Sequence, residues 1–528
     1  MGYIRKAASA GLDLRYTRGF FTRCAAILTV NPLNPFFQPM NFKTTAFPSA
    51  ACASFFLTVT SAQAAVRYVD ANLTTGANNG TSWADAYQGV GGLAAALTAS
   101  VSGDQIWVAD GTYKPTTGTS RTVFLTLKTG VAIYGGFAGG EGKLAQRDFV
   151  ANPCIVTGDL LGNDNGAANL TDNSYHVFVG SAATATAILD GFTIKGGYAN
   201  GATASNYDKG GGIIVTGSGS PTIRNCTFTG NRCTFGGGAG YILQAGATFT
   251  NCRFENNVGG SYGGAFDMNT TTVTFERCWF QGNSAARAGA CETFGTSQTR
   301  YTNCVFTGNT ATGTGGGGAL WIGNAGTVTA RNSTFVANNA TSLAGGIINT
   351  SGSSTFSNCI MYANTGPGGT SAANQISASG GSNTVSYSIV QGGATGTANL
   401  NVDPLFVNQA ARDFRLQAAS PAIDSGSNSM VPAGVTTDFD LNPRFVNDPT
   451  VTDTGSGTAP IVDRGAFEKQ LPPPPPCPAD LDGNGAVDAA DLSGLLSAWG
   501  TAGSGDIDGS GSVDAADLAV LLAAWGDC

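Results

Sequence analysis

The stretch Asn225-Cys226-Thr227-Phe228-Thr229-Gly230-Asn231 comes back along the chain as NCRFENN (251–257), RCWFQGN (277–283), NCVFTGN (303–309), NSTFVAN (332–338) and NCIMYAN (358–364). Its second position, held by Cys226, Cys252, Cys278, Cys304, Ser333 and Cys359, advances by 26 residues at each step except Cys304 to Ser333, which takes 29. Glycine-rich signals follow the blocks: Gly237-Gly238-Ala239, Gly263-Gly264-Ala265, Gly289-Ala290, Gly317-Gly318-Ala319 and Gly345-Gly346-Ile347. A fixed period of this size marks a solenoid. No segment of the repeat places apolar residues at i, i+3, i+4 and i+7 over a helix length, whereas short alternation fits strands. Within a block the Cys and the Phe lie two apart and share a face. The preceding apolar residue (Ile223, Phe249, Phe275) is out of phase with them, which predicts a bend at Asn225 or Asn251, a residue type that tolerates left-handed backbone. One turn of a parallel β-helix is the unit that fits.

Stacked coils place like residues over like at ~4.8 Å. Phe228, Phe254, Phe280, Phe306 and Phe335 then form an interior column, each ring contributing roughly 2–3 kcal/mol. Asn231, Asn257, Asn283, Asn309, Asn338 and Asn364 form an amide ladder at a turn, satisfying one another coil by coil. The cysteine column has two readings: inward thiols acting as small hydrophobes, or disulfides and metal ligands.

These F-x-x-N and G-G-A signals, over about 155 residues, resemble the repeats of chlamydial polymorphic outer-membrane proteins, within the pectin-lyase-like superfamily of right-handed β-helices. The resemblance implies an all-β, right-handed parallel β-helix and leaves activity open.

Charged residues are 11% of the 528-residue chain and glycine numbers 76. That composition suits an extended extracellular β structure. The net charge of −8 is concentrated: residues 477–528 hold nine Asp and no Glu, Lys or Arg, leaving 26 basic against 25 acidic residues elsewhere. Neither a nucleic-acid-binding surface nor a polyanionic one is indicated, and no stretch of the mature chain reads as a membrane span.

Residues 1–39 lack repeat character and read as a non-native N-terminal extension. Met40 opens a better leader: Lys43, an apolar run from Ala46 to Val59, then Ala62-Gln63-Ala64. This pattern predicts a signal peptide over 40–64, cleaved after Ala64, and hence a secreted, cell-surface protein. Residues 65–200 read as an N-terminal cap and first coils, with Ser82–Tyr87 and Gly92–Leu97 suggesting one short helix over the open end, as a solenoid end requires. GTYKP, IYGGFAGGE and LDGFTIKGG resemble the opening of secreted bacterial β-helix proteins. The repeat proper occupies 201–370. Residues 371–470 read as C-terminal coils, Val385–Val390 among them, and a cap. Their Asp403-Pro404-Leu405-Phe406, Ser420–Gly426 and Val462–Glu468 segments resemble the choice-of-anchor Q region, whose Asp and Arg residues are expected to serve as buried ion pairs and turn formers. Residues 471–476, Leu followed by five prolines, form a semi-rigid linker.

Two near-identical units 26 residues apart fill 477–528. Ca²⁺ takes its oxygens from loop positions 1, 3, 5, 7, 9 and 12. Those are Asp480, Asp482, Asn484, Ala486 (carbonyl), Asp488 and Asp491 in the first loop, and Asp506, Asp508, Ser510, Ser512 (carbonyl), Asp514 and Asp517 in the second. Gly485 and Gly511 take position 6. An apolar helix follows each loop: Leu492, Leu495, Leu496 and Trp499, then Leu518, Leu521, Leu522 and Trp525. No helix precedes the first loop, and position 12 is Asp rather than Glu. These departures resemble type I dockerins, and the Cys-Pro opening and Trp-Gly-Asp-Cys ending resemble the GC-type variant. The resemblance implies a small helical calcium-binding domain with two Ca²⁺ sites, a Cys477–Cys528 disulfide, and a cohesin-like or other cell-surface partner. Positions through which dockerins contact cohesins hold Ala489-Ala490 and Ala515-Ala516 here, a departure from the cellulosomal pattern.

Catalytic residues are not assigned. His176, the one histidine, lies in a probable strand and reads as structural. Asp190, Lys195, Asp208, Lys209, Asp267, Glu276, Arg287 and Glu292 are expected at surface or turn positions. Asp267 and Glu292, 25 apart, are placed to pair across one coil, as general acid–base chemistry needs. Fold alone does not license an enzyme. The reading is a secreted, surface-anchored β-helix with a binding, adhesive or structural role. The alternative is a dockerin-bearing polysaccharide lyase or glycoside hydrolase acting on extracellular polysaccharide.

Overall fold

The computed structural model describes residues 64–471 and 477–528. The extension at 1–39, nearly all of the leader at 40–64 and the prolines at 472–476 lie outside the described residues. No helix among the described residues is long and apolar enough to cross a membrane.

The chain winds into three parallel sheets that run the length of a solenoid, with 12, 10 and 9 strands. In one representative coil the first sheet receives Gly246–Thr250, the second Arg253–Glu255 and the third Phe266–Asn269. One first-sheet strand, Tyr87–Gln88, belongs to the N-terminal cap, so the other eleven of the twelve mark the coils. The bend between first and second sheets falls at the expected residue: Asn225, Asn251, Arg277, Asn303, Asn332 and Asn358 all have φ between 47° and 54°. Gly191 holds the same corner one coil earlier, at φ 86°, and splits Ile188–Asp190 from Phe192–Lys195.

Exact register produces the columns. Phe228, Phe254, Phe280, Phe306 and Phe335 follow one another across the second sheet, with successive ring centroids 5.4, 4.9, 4.4 and 4.7 Å apart. A second pile from the first sheet, Phe249, Phe275 and Tyr301, meets it edge to face. The cysteines of the corner column are buried free thiols, their Sγ atoms near backbone carbonyls one coil away. Burial pushes the Cys359 thiol up to about 12.

The asparagine ladder is continuous. From Asn257 onward each side-chain Oδ1 accepts from the backbone N–H and the Nδ2 of the asparagine one coil before it, and each Nδ2 also donates to a phenylalanine carbonyl; Asn231, the first rung, accepts from Gly197 N–H and donates to the Ile194 carbonyl. Asn283 accepts from Asn257 N and Nδ2 at 3.0 Å, and donates to Phe254 O at 2.8 Å and Asn309 Oδ1 at 2.9 Å. At the far end Gln375 Oε1 takes the place of the next asparagine, accepting from Asn364 N and Nδ2.

At the N-terminal end the helix is Gly92–Ala99, which sends Leu93, Ala96 and Leu97 into the core. Ser82–Tyr87 does not join it. Ser82 and Asp85 close a hydrogen-bonded turn, and Tyr87–Gln88 pairs in parallel with Val66–Asp70.

The region after Asn364 also differs from a simple end cap. Ser382–Ser386 and Ile389–Val390 complete the last coil, and Asn399 and Leu400 bond to its edge. Residues beyond 403 instead turn back along the outer flank of the second sheet. Phe406, Phe414, Leu416, Ile423 and Phe467 bury Trp279, Val305, Val336, Ile360 and Ile389, the outward residues of five successive coils. Those outward positions are apolar here, and covering them removes from water side chains worth about 1.5–3 kcal/mol each. Within this strap Arg444, fully buried, pairs with Glu468 at 3.5 Å and donates to the carbonyls of Asp463 and Gly465.

Two expectations follow. Asn283→Ala strands several buried partners at once and should lower stability by about 3 kcal/mol or more, at roughly 1–3 kcal/mol per unsatisfied group; chemical denaturation measures it. Arg444→Ala leaves Glu468 buried without its cation and should cost about 3–5 kcal/mol, whereas replacing both partners with apolar residues of similar volume should cost much less.

Candidate functional site

Two clusters carry chemistry. The first lies in residues 477–528, where the repeated loops adopt one conformation twice. In loop one Asp480 Oδ1 accepts from Gly483 and Asn484 N–H, and its Oδ2 from Gly485 N–H. Asp491 reaches back from the following helix, Ala489–Ser497, to accept from Leu481, Asp482 and Asp488. Asp506 and Asp517 repeat this arrangement ahead of Ala515–Ala523. Gly485 and Gly511 take φ near +100° (92° and 100°) with open space around them, as a sharp turn at position 6 requires.

Carboxylate oxygens of Asp480, Asp482 and Asp491 lie within 4.8 Å of one another, as do those of Asp506, Asp508 and Asp517. The other sequence-assigned positions play different parts. Asp488 and Asp514 cap their helices, accepting from Ala490 and Ala516 at 2.7 Å. Asn484 Oδ1 accepts from Ala486 N–H, and Ser510 Oγ leans on the Ser512 carbonyl. Backbone donors, that of Asp488 foremost, hold the Asp491 carboxyl below the usual carboxylate range; Asp517 is held down in the same way by Asp514. The gathered groups are hard oxygens, three of them close-set carboxylates per loop, and that set fits a divalent cation of the Ca²⁺ type.

The two units are related by a pseudo-twofold. Ala486–Val487 pairs antiparallel with Gly526–Asp527, while Val513 exchanges backbone hydrogen bonds with Gly500 and Thr501. Cys477 and Cys528 are joined by a disulfide. Leu495, Leu521, Val487 and Val513 form the small core. The helices stop short of Trp499 and Trp525, ending at Ser497 and Ala523, and Leu496, Trp499, Leu522 and Trp525 are 44–53% exposed, because two helices of nine residues cannot cover both apolar stripes.

The second cluster sits on the outer face of the third sheet. Tyr241, Asp267, Glu292, Trp321 and Ile348 succeed one another in register there. Asp267 and Glu292 are therefore cross-strand neighbours, as their spacing predicts. They are not surface residues: Asp267 is 5% and Glu292 1% exposed. The loops that precede each third-sheet strand fold over this face. Arg287, from one of them, forms a two-pronged ion pair with Glu292 and lies over the Tyr262 and Trp321 rings at 4.2 and 3.9 Å. Lys209 pairs with Asp208 at 2.8 Å and lies over Phe235. Asp267 Oδ2 lodges against Gly236, where a Cβ would come within 2.1 Å. Burial first, and the Glu292 charge second, push the Asp267 carboxyl far above its ordinary range; burial also raises Glu292, against the pull of Arg287. Both carboxyls are thus shifted upward, Asp267 without a cation of its own and Glu292 held by Arg287.

The remaining candidates are dispersed. His176 Nδ1 lies 2.9 Å from the Gly210 carbonyl, is packed on Phe124, and is pushed down to about 4 by burial, so it is neutral. Asp190 is ion-paired with Arg147 at 2.8 Å and Arg224 at 2.6 Å. Glu276 pairs with Arg277, and Lys195 is exposed. Sequence reasoning missed the cover over Asp267 and Glu292. Its trace is a bulky residue, Phe235, Tyr262 or Arg287, three or four positions before Ala239, Ala265 and Ala290.

Over residues 160–335 the chain matches the family model described as "Right handed beta helix region". Over that stretch the solenoid is similar to right-handed β-helices. No curated protein matches the sequence. Among solved structures, pectate lyase Pel9A aligns with a TM-score of 0.40 and 18% identity over 77% of this chain and 97% of its own. The Streptococcus pneumoniae surface protein and adhesin PfbA gives 0.21 and 11% over 59% and 81%. The tailspike gp49 of Acinetobacter baumannii bacteriophage Fri1, a capsular polysaccharide depolymerase, gives 0.25 and 12% over 66% and 61%.

The Asp267 carboxyl yields a pH prediction. With its folded-state pKa above the unfolded value near 3.8, its stabilising contribution is complete in acid and is lost as pH rises through the folded-state value. Asp267→Asn should therefore raise the thermal midpoint more at pH 8 than at pH 4, and flatten the pH dependence of the β-helix.

Proposed function

We propose that the chain is an exported, surface-attached binding protein whose β-helix presents the binding surface and whose C-terminal module anchors it in a calcium-dependent way. The carrying observation is the pair of symmetry-related loops, each gathering three aspartates within 4.8 Å on a framework of backbone donors. In loop one Asp480, Asp482, Asn484, the Ala486 carbonyl, Asp488 and Asp491 would hold one Ca²⁺. Asp506, Asp508, Ser510, the Ser512 carbonyl, Asp514 and Asp517 would hold the other. Each ion would neutralise three crowded carboxylates and fix the helix behind them. The half-exposed Leu496, Trp499, Leu522 and Trp525 support a partner surface duplicated by the pseudo-twofold, the kind of paired apolar edge a cohesin-like cell-surface protein would cover. The apolar run ending at Ala62-Gln63-Ala64 supports export.

The competing reading, a polysaccharide lyase or hydrolase on the same anchor, needs carboxyls a glycan can reach. Asp267 and Glu292 are closed under Arg287, Tyr262 and Gly236, which favours binding over catalysis.

Calorimetric titration of the chelator-treated full chain with Ca²⁺ should reveal two sites, and Asp480→Ala with Asp491→Ala should leave one. At Ca²⁺ about 100-fold above Kd, each site should add about 2.7 kcal/mol to the module's stability. Absence of Ca²⁺ uptake, or an unfolding transition indifferent to chelator, would sink the proposal.

A further inference from the structure

A groove of about 210 Å³ opens on the outer flank of the second sheet, just beyond the end of the strap. Its floor is Thr193, Thr227 and Arg253. These residues belong to the same outward column as Trp279, Val305, Thr334, Ile360 and Ile389, so the groove continues the face that the strap covers. Its rim is the corner ladder, Asn225 and Asn251, linked by a 2.7 Å hydrogen bond from Asn251 Nδ2 to Asn225 Oδ1. Phe149 and Val150, 36% and 82% exposed, form the opposite wall.

Where the strap is present, the same ladder grips polypeptide backbone. Asn358 Oδ1 accepts from Ser427 N–H at 2.8 Å while its Nδ2 donates to the Ser427 carbonyl at 2.9 Å, clamping one residue at both backbone groups. Arg331 donates to the Met430 carbonyl at 2.7 Å and Asn303 Nδ2 to the Thr437 carbonyl at 2.8 Å. The strap thus descends the corner coil by coil from Asn358 towards Asn303. Phe439 then seats on Trp279, with ring centroids 5.5 Å apart, before the chain turns away. Asn251 and Asn225 are the next ladder asparagines on that line, and none of the strap's hydrogen bonds extends to them.

We propose that this groove binds an extended peptide segment of a partner protein, laid end to end with the strap and held by its backbone on Asn225 and Asn251. Arg253, its side chain 52% exposed and paired with Glu255 at 3.3 Å, exchanges that partner for an acidic side chain of the peptide, and Phe149 with Val150 selects an apolar neighbour. The strap carries that combination itself in Asp438-Phe439-Asp440. The site is built from residues 149–253 of the solenoid alone.

The test is selection from a library of short linear peptides on the full chain, with affinities measured on synthetic copies. Enriched peptides should pair an acidic with an apolar residue. They should bind about tenfold more weakly to Asn251→Gly, which keeps the φ of 54° while removing the amide, as loss of one or two hydrogen bonds predicts. They should lose binding to Thr227→Trp, which fills the floor, with the thermal midpoint of each variant checking the fold. Four results would overturn the proposal: no enrichment, binding indifferent to Thr227→Trp, displacement of the peptides by soluble oligosaccharides, or a concentration-dependent dimer that Thr227→Trp abolishes.

Discussion

The backbone of every coil must hydrogen-bond to the coil before and the coil after it, and this fixes what each side chain can be. A residue facing inward meets its own equivalent on both sides at one strand spacing. Phenylalanine stacks on phenylalanine under that rule, and asparagine does better still, since one carboxamide can accept from one neighbour while donating to the next. From Asn231 to Asn364 the ladder turns one bend of the coil from a row of stranded backbone groups into a bonded chain, closed by Gln375. The insertion that lengthens the step from Cys304 to Ser333 is absorbed between strands and leaves the ladder in register.

Inside the solenoid the problem is local; outside it is not. The outward apolar residues of the second sheet have no partner in their own repeat, and Trp279, Val305, Val336, Ile360 and Ile389 are covered by residues more than a hundred positions away in the case of Trp279 and Phe414. The strap behaves as a second layer laid along the flank, stitched by corner asparagines to its backbone and locked by Arg444 and Glu468. Its aspartates and arginines serve this packing: Asp463 accepts from Asp424 N–H, Asp438 from Glu468 N–H, and Arg464 donates to the carbonyls of Ser425 and Ser388.

The third sheet shows how the same geometry handles charge. Its outer column would expose Asp267 and Glu292 to solvent, yet the glycine-rich loops close over them and bring Arg287 and Lys209 with their aromatic beds. Burial there is set by loop conformation, so the two carboxyls depart from ordinary titration although nothing in their immediate sequence is unusual. In residues 477–528 the reverse holds. The loop chemistry is entirely local, each aspartate bonding to backbone donors within ten residues, and the small core leaves a symmetric apolar edge to solvent.

The coil, its corner and its columns were determined by the sequence alone, because stacking in register makes spatial neighbours of residues one period apart. The 26-residue recurrence of Phe, Cys and Asn therefore reads directly as contact, and so does the pairing of Asp267 with Glu292. The repeated aspartate loops were legible for a related reason, since the aspartates that gather in each lie within a dozen residues. What only the tertiary structure decided was everything across long and aperiodic separations. The stretch beyond Asp403 runs along a flank instead of closing an end, Ser82–Tyr87 forms a turn beside a short parallel strand, and Asp267 is buried while Leu496 and Trp499 are not. Each of these depends on which distant surface arrives to cover a face, and periodicity carries no information about that.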